Sequence, residues 1–397
     1  MATSNVTTNR KKRKPTCLTC KLKKGCKNKK IGGYGDPESD VLVVIGQPTE
    51  KEDWKGKLKI DPNLAYIQQT LKRERKSCTF IHAVRCWSEK EPSESEIIAC
   101  AEHLYRQLDQ NDYTDVFLVG KIAVDAFFAY QENDYAAYSK LRGMTIPDHR
   151  FDLQVSVIHE PSHEIGNVYG NEQLKNTFFK SDLKQALKSM GKSIPKIFLN
   201  PKKCLVLCNE KQAVKEMKAV LDGKYTNFIS FDFETTGLRP YNKGHRILSC
   251  AIATSKKKSF SFIMTKETTH WLKRILRNPS IPKIAANMKF EKTWAKVCLN
   301  CSINGLIHDT VLAGHIIDNR SGITSVKFQS FANFGIFKYE EAVGTYIKGS
   351  KEDETEFGAN AFNRMHECPE QMMLEYVAMD SLLEYWIACK QKKVLGI

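Results

Sequence analysis

The stretch Phe231-Asp232-Phe233-Glu234-Thr235-Thr236-Gly237-Leu238 constrains this chain more than any other. The run Asn227-Phe228-Ile229-Ser230 leads into it as a buried strand would, and the two-residue alternation of a strand then sets Asp232 and Glu234 on one face. Two carboxylates side by side repel. A fold tolerates them when a divalent cation sits between, because hard oxygen ligands suit Mg²⁺ or Mn²⁺ and the ion reverses the local charge balance. Thr-Thr-Gly then turns the chain at the strand end, where a substrate could approach the backbone.

At 397 residues there is room for two or three domains, each with its own core. A content of 42% hydrophobic and 27% charged residues fits an ordinary soluble protein. No apolar run reaches the ~18 residues of a membrane span, and the N-terminus lacks the apolar core of a secretory signal. The expected place is therefore the cytoplasm, with no membrane partner. Thirteen cysteines, scattered rather than regularly framed, predict thiols and a metal centre over disulfides. The net charge is +16, yet residues 1–30 hold eleven Lys or Arg and no acid, which leaves +5 for the other 367 residues. This basic arm, with Arg10, Lys11, Lys12, Arg13 and Lys14 at its centre, suits a polyanion, most simply nucleic acid, through counterion release. Residues 1–14 are expected to be disordered.

The first half alternates strand and helix signals. Val41–Ile45, Thr79–Val84, Asp115–Val119 and Gln154–Ile158 read as strands. Between them fall helical patterns around Leu64, Ile67 and Leu71, a helix opened by the capping box Ser93/Glu96, and a helix over Lys121–Phe128. That order predicts a parallel sheet with helices on both faces and ligands at the carboxyl ends of the strands. Taken alone, Cys17-Leu18-Thr19-Cys20 is equally compatible with zinc, redox chemistry or chance.

Val84-Arg85-Cys86, with Pro92, Glu96-Ile97 and Cys100 downstream, is similar to segments of the family 4 uracil-DNA glycosylases. So are Phe117-Leu118-Val119-Gly120 followed by Ala123, and Glu160-Pro161-Ser162, so the resemblance covers roughly residues 15–190. It implies that Cys17, Cys20, Cys86 and Cys100 hold a [4Fe–4S] cluster, with zinc as the alternative. The departures bear on activity. The family's Gly-Glu-Ala-Pro-Gly is here Gly46-Gln47-Pro48-Thr49, and Gln47 can neither act as a base nor stabilise an oxocarbenium ion by charge. The base-reading Asn falls near His82, and His-Pro-Ser becomes His159-Glu160-Pro161-Ser162, which puts a glutamate where phosphate is expected. Gln47, His82, His159 and Ser162 thus mark a vestigial glycosylase site on a domain that binds DNA. Gly, Ser and Pro at 191–202 read as a linker to a second domain at 203–397.

In that second half, strand Lys203–Cys208 and helix Lys211–Leu221 precede the opening motif, and Arg246–Ala253 and Lys258–Ile263 read as antiparallel neighbours. Strand Lys283–Ala286 ends at Asn287-Met288-Lys289-Phe290-Glu291, a second strand-end acid, and Asp309 is a third candidate. Within a long helix, Gln371–Gln391, Tyr376 and Asp380 stand four apart and share a face.

Asp232 and Glu234, Asn287-x-x-Phe290-Glu291 and Tyr376-x-x-x-Asp380, in that order and spacing, resemble the DEDDy 3′–5′ exonucleases, above all the proofreading domain of family A, phage-type DNA polymerases. One departure is Glu291, where the family usually has Asp. The resemblance implies a ribonuclease-H-like mixed α/β sheet and two Mg²⁺ or Mn²⁺ ions. Asp232 would bridge them, Glu234 and Asp380 would complete the first site, Glu291 would hold the second ion through water, and Tyr376 would orient the attacking water. The expected substrate is a single-stranded or frayed 3′ end of DNA, delivered by a polymerase domain or by a subunit in trans; fusions of this kind look like those of large bacteriophage polymerases. Two other functions fit the same residues. One is a non-catalytic DNA-binding or assembly module of a replication complex; the other is a ribonuclease D-like exonuclease that trims RNA.

Overall fold

The computed structural model describes residues 16–131, 136–161 and 171–397, with the backbone alone at 171–175. Arg10 to Lys14 and Ser162 lie outside the described residues. The chain divides into two compact units, Met1–Ile194 and Pro195–Ile397.

The first unit runs β1 (Tyr34–Gly35), β2 (Val41–Ile45), α1 (Glu50–Lys55), α2 (Pro62–Arg73), β3 (Cys78–His82), α3 (Glu94–Asp109), β4 (Asp115–Val119), α4 (Lys121–Phe128), α5 (Tyr138–Leu141), β5 (Thr145–Asp148), β6 (Leu153–Ile158) and α6 (Asn171–Ser189). Its sheet has the order β1-β3-β2-β4-β6-β5. The four inner strands pair in parallel and bury nearly every residue, as strands covered on both faces must. The sheet is nevertheless mixed, which corrects the expectation of a parallel one, because β1 joins β3 and β5 joins β6 antiparallel. The β5–β6 link spans only residues 149–152, too short for the crossover that parallel pairing requires. Leu64, Ile67 and Leu71 of α2 and Phe179, Leu183 and Ala186 of α6 close one core against β2, β3 and β4.

The second unit runs α7 (Lys196–Leu199), β7 (Leu205–Leu207), α8 (Glu210–Leu221), β8 (Ile229–Thr235), β9 (Ile247–Ser255), β10 (Lys258–Ile263), α9 (Lys266–Arg277), β11 (Lys283–Ala285), α10 (Met288–Leu299), β12 (Leu306–Asp309), α11 (Thr310–Ile317), α12 (Val326–Phe334), α13 (Gly344–Ile347), α14 (Lys351–Phe357) and α15 (Glu370–Leu395). The sheet order is β12-β11-β8-β9-β10-β7, antiparallel at β8–β9 and β9–β10 and parallel elsewhere. Residues 195–202 are not a linker in this fold. The Phe198 ring packs 4.8 Å from Phe334 and 5.0 Å from Trp386, so the segment begins the second unit's core. Among the described residues no helix is long and apolar enough to cross a membrane.

Alternation along β8 decides where the site forms. Phe231 and Phe233 enter the core with Met217, Leu272 and Trp294, while Ser230, Asp232 and Glu234 share the other face. There Ser230 Oγ donates to Ser381 O at 2.6 Å, and Ser381 Oγ accepts from Ala253 N at 3.0 Å. Both serines are fully buried and small enough for α15 to lie close on the sheet. This clasp fixes the residue before it, Asp380, beside Asp232.

Candidate active site

One carboxylate oxygen from each of Asp232, Glu234 and Asp380 lies within 4.8 Å of the other two, the one such group of acid, His or Cys side chains among the described residues. Beside the two strand acids, β9 carries the small residues Ala251 and Ser249. Hard oxygens at this separation suit one divalent cation. With no cation the charges conflict. Burial, and then the charge of Asp380, push Asp232 well above the usual carboxylate range, and burial followed by Asp232 and Asp380 does the same to Glu234. Asp380 is pushed up to about 6 by burial, against the opposing pull of Tyr339, Lys327 and Tyr376.

Glu291 stands in the first turn of α10, 2% exposed, with Oε2 lacking a hydrogen-bond partner among the described residues. Burial and the neighbouring Asp232 hold its pKa high. It is thus near the trio but outside its 4.8 Å circle. Asn287 caps α10 in the left-handed region, φ 52°, a conformation Asn tolerates. Its N–H and that of Met288 donate to the Asp309 carboxylate at 3.1 and 2.8 Å. Asp309 also accepts from the N–H groups of Val311 and Leu312, so this third strand-end acid is committed to two helix starts and not to the site. Gly237 is approached closely, but by the chain itself: a Cβ there would lie 2.5 Å from Ala361 O.

Tyr376 lies one turn from Asp380 on the same helix face, and burial, followed by the charge of Asp380, pushes its pKa well up. A second phenol was not anticipated: Tyr339 donates to Asp380 Oδ1 and stacks on Tyr376 with ring centroids 6.1 Å apart. No period or motif marks Tyr339, which sits in irregular chain after α12. Also unanticipated is Glu384, four residues after Asp380, which the helix spacing that pairs Tyr376 with Asp380 would have revealed.

In the first unit Cys17, Cys20, Cys86 and Cys100 line one small pocket with Leu22, Val84 and Ala99. All are free thiols. Burial raises Cys20 and pushes Cys100 up to about 11. Two of the sulfurs accept backbone N–H groups, Cys86 from Lys30 at 3.5 Å and Cys100 from Arg85 at 3.3 Å. No three of the four sulfurs come within 4.8 Å of one another.

The remaining predicted positions meet internal groups in part, while Gln47 Oε1 and both His82 ring nitrogens have no hydrogen-bond partner among the described residues. Gln47 Nε2 donates to Ser88 O at 3.1 Å. The buried His82 ring has Nε2 3.5 Å from Glu52 Oε1. Burial opposes the charge of Glu52, yet His82 and the N–H groups of Lys59 and Thr49 outweigh it and hold this acid at about 2. The His159 ring stacks on Phe178, centroids 5.9 Å apart, and its Nδ1 meets Glu160 O. The Glu160 side chain lies over Gly120, the N-cap of α4, so closely that a Cβ there would be 2.9 Å from Oε2.

Comparison with known proteins separates the two halves. The N-terminal half matches type-4 uracil-DNA glycosylases. That of Archaeoglobus fulgidus is 24% identical over 188 residues, covering 46% of this chain and 92% of the relative. That of Saccharolobus solfataricus is 25% identical over 181 residues, covering 44% and 82%. Among solved structures, the catalytic core of RRP6 from Trypanosoma brucei superposes with a TM-score of 0.36 at 15% identity, over 51% of this chain and 53% of that one. The sequence pattern of the 3′–5′ exonuclease family matches residues 195–394. That span is just over half of the chain and includes Asp232, Glu234, Glu291, Tyr376 and Asp380. By its second unit, this chain belongs to the 3′–5′ exonuclease family.

Proposed function

We propose that the chain is a metal-dependent 3′–5′ DNA exonuclease, the proofreading part of a phage-type replication system, with a glycosylase-like DNA-binding module in front. The observation that carries this reading is the convergence of Asp232, Glu234 and Asp380. Two Mg²⁺ or Mn²⁺ ions, when bound, acidify the attacking water and stabilise charge on the leaving 3′-oxygen. Asp232, Glu234 and Asp380 would hold the first ion, and Asp232 with Glu291 the second. Tyr376, one turn from Asp380 on the same helix face, would orient the water. Beside the site a groove of about 970 Å³ is lined by Tyr241, Asn287, Lys289, Lys292 and Lys296. Its three lysines are exposed along one face of α10. Cations interleaved with an aromatic ring suit a single strand held by its phosphates and bases. The likeness of the first unit to DNA glycosylases favours DNA over RNA.

Digestion of matched 3′-labelled single-stranded DNA and RNA, with and without Mg²⁺, tests the reading. The wild type should shorten DNA from its 3′ end only when Mg²⁺ is present, and Asp232→Ala should not. Persistent digestion by the variant overturns the site. Faster loss of RNA transfers the substrate to the ribonuclease D kind. No digestion at all leaves a binding module.

For the first unit we propose DNA binding around a [4Fe–4S] cluster, without uracil excision. Four thiolates on one zinc ion would stand about 3.8 Å apart, from Zn–S bonds of ~2.3 Å in a tetrahedron. The wider spacing here, with N–H donors on two sulfurs, supports the larger cluster. Gln47 held by Ser88, His82 facing Glu52 and Glu160 over the start of α4 support the loss of excision. Iron and sulfide content and visible absorbance check the cluster. Uracil release from oligonucleotides by the Asp232→Ala chain checks excision, and robust release overturns this view.

A further inference from the structure

Helix α15 brings more than Asp380 to the site. Glu384 follows it by four residues on the same helix face and is 1% exposed. Its Oε2 has no hydrogen-bond partner among the described residues. After burial, the groups that bear on it are Asp232, then Glu291, then Asp380. Glu291, from α10, is equally enclosed and has an unpartnered Oε2 of its own. Two buried acids from separate elements thus both feel the charge of Asp232, each with an oxygen that no described residue satisfies. Interiors rarely keep such oxygens without a donor or a cation to meet them. The flanking residues Leu382, Leu383, Tyr385 and Trp386 are ordinary core, so packing alone would place an apolar side chain at 384.

We propose that Glu384 is a fifth carboxylate of the metal centre and that Glu384, Glu291 and Asp232 together hold the second divalent cation. This inference rests on the exonuclease reading of the site. The three do not come within 4.8 Å of one another as Asp232, Glu234 and Asp380 do. At least one contact therefore runs through water, which suits Mg²⁺, an ion that gives up its waters reluctantly. It also accounts for the glutamate at 291, since an acid from α10 and another from α15 reach the ion together.

Mn²⁺ titration of the full chain without nucleic acid, followed by calorimetry and by the electron paramagnetic resonance of free Mn²⁺, tests the assignment. Wild type should bind two ions, and Glu384→Gln, which keeps the side chain's length and one oxygen acceptor, should retain the tighter ion and weaken the second by about tenfold or more. Glu291→Gln should lose the same ion, and the double variant should be little worse than either single one, as for two groups on one ion. If Glu384→Gln binds both ions with wild-type affinity, or if wild type binds one ion only, the proposal is overturned. Should the Gln variant not fold, Glu384→Asp with a native circular dichroism spectrum is read in the same way. A wild type that binds two ions through Glu384 yet digests no 3′ end keeps this proposal and removes the exonuclease reading. Digestion without any effect of Glu384 on the second ion does the reverse.

Discussion

The two units each build an α/β sheet and gather polar side chains near strand ends, but they treat those groups in opposite ways. In the first, Glu52 is buried, yet three backbone or side-chain donors and His82 hold it at about 2. Gln47 Nε2 is tied to Ser88, although its Oε1 and both His82 ring nitrogens have no hydrogen-bond partner among the described residues, and Glu160 covers the helix start where an anion would be welcome. In the second unit the acids crowd together, Asp380 is pushed up to about 6, and Glu291 Oε2 and Glu384 Oε2 find no hydrogen-bond partner among the described residues. A carboxylate whose oxygens already have donors, as Glu52's do, has little left to offer a ligand. A site that leaves its acids in conflict is unstable by itself and receptive to a cation.

The sharpest way to break this contrast is Asp232→Ala, expected to lower Mg²⁺-dependent 3′ digestion by about three orders of magnitude, or ~4 kcal/mol of barrier, in a single-turnover assay. In the first unit Glu52→Gln should cost about 3 kcal/mol of stability, measured by denaturant unfolding, because the acid's folded-state pKa lies well below its ordinary 4.5. The sign fixes the pH window: that stabilisation is present above about 4.5 and fades as the pH falls toward 2. A Gln variant as stable as wild type would mean that Glu52 is not internally satisfied.

Tyr339→Phe removes one of the donors that orient Asp380 and should weaken Mn²⁺ binding by about tenfold while leaving the first unit's stability unchanged. The smallest effect is on melting. Asp380 has a raised pKa, so its contribution is full below about 3.8 and is lost as the pH rises through about 6. Without divalent ions the second unit should therefore melt a few degrees lower at pH 7.5 than at pH 5, and Mg²⁺ should abolish the difference. A melting temperature that rises with pH in the absence of ions would contradict the crowding of the acids.

Much of this was legible in the sequence, because burial writes a period. The inner strands β2 and β4 declare themselves as apolar runs, β6 by Leu153, Val155 and Val157 alternating with Gln154 and Ser156, and β8 by alternation of Phe with acid. The edge strands do not: β1 has two exposed residues, and β5 carries Pro147, which argues against a strand unless it lies on an edge. At the site, spacing joins Asp232 to Glu234 and Tyr376 to Asp380. Tyr339 was hidden because it reaches Asp380 across 41 residues of chain without regular spacing. Asp309 looked like a site acid because a helix cap and a metal ligand use the same residue type at the same strand end.

The clasp between Ser230 and Ser381 joins residues 151 apart in the chain. At synthesis rates of ~5–20 residues per second, the strand acids leave the ribosome roughly 8–30 s before the helix that completes their site. A partly made chain therefore carries Asp232 and Glu234 without Asp380 or Tyr376, and has nothing with which to cut nucleic acid. On the exonuclease reading, the metal site is therefore incomplete until α15 has been made.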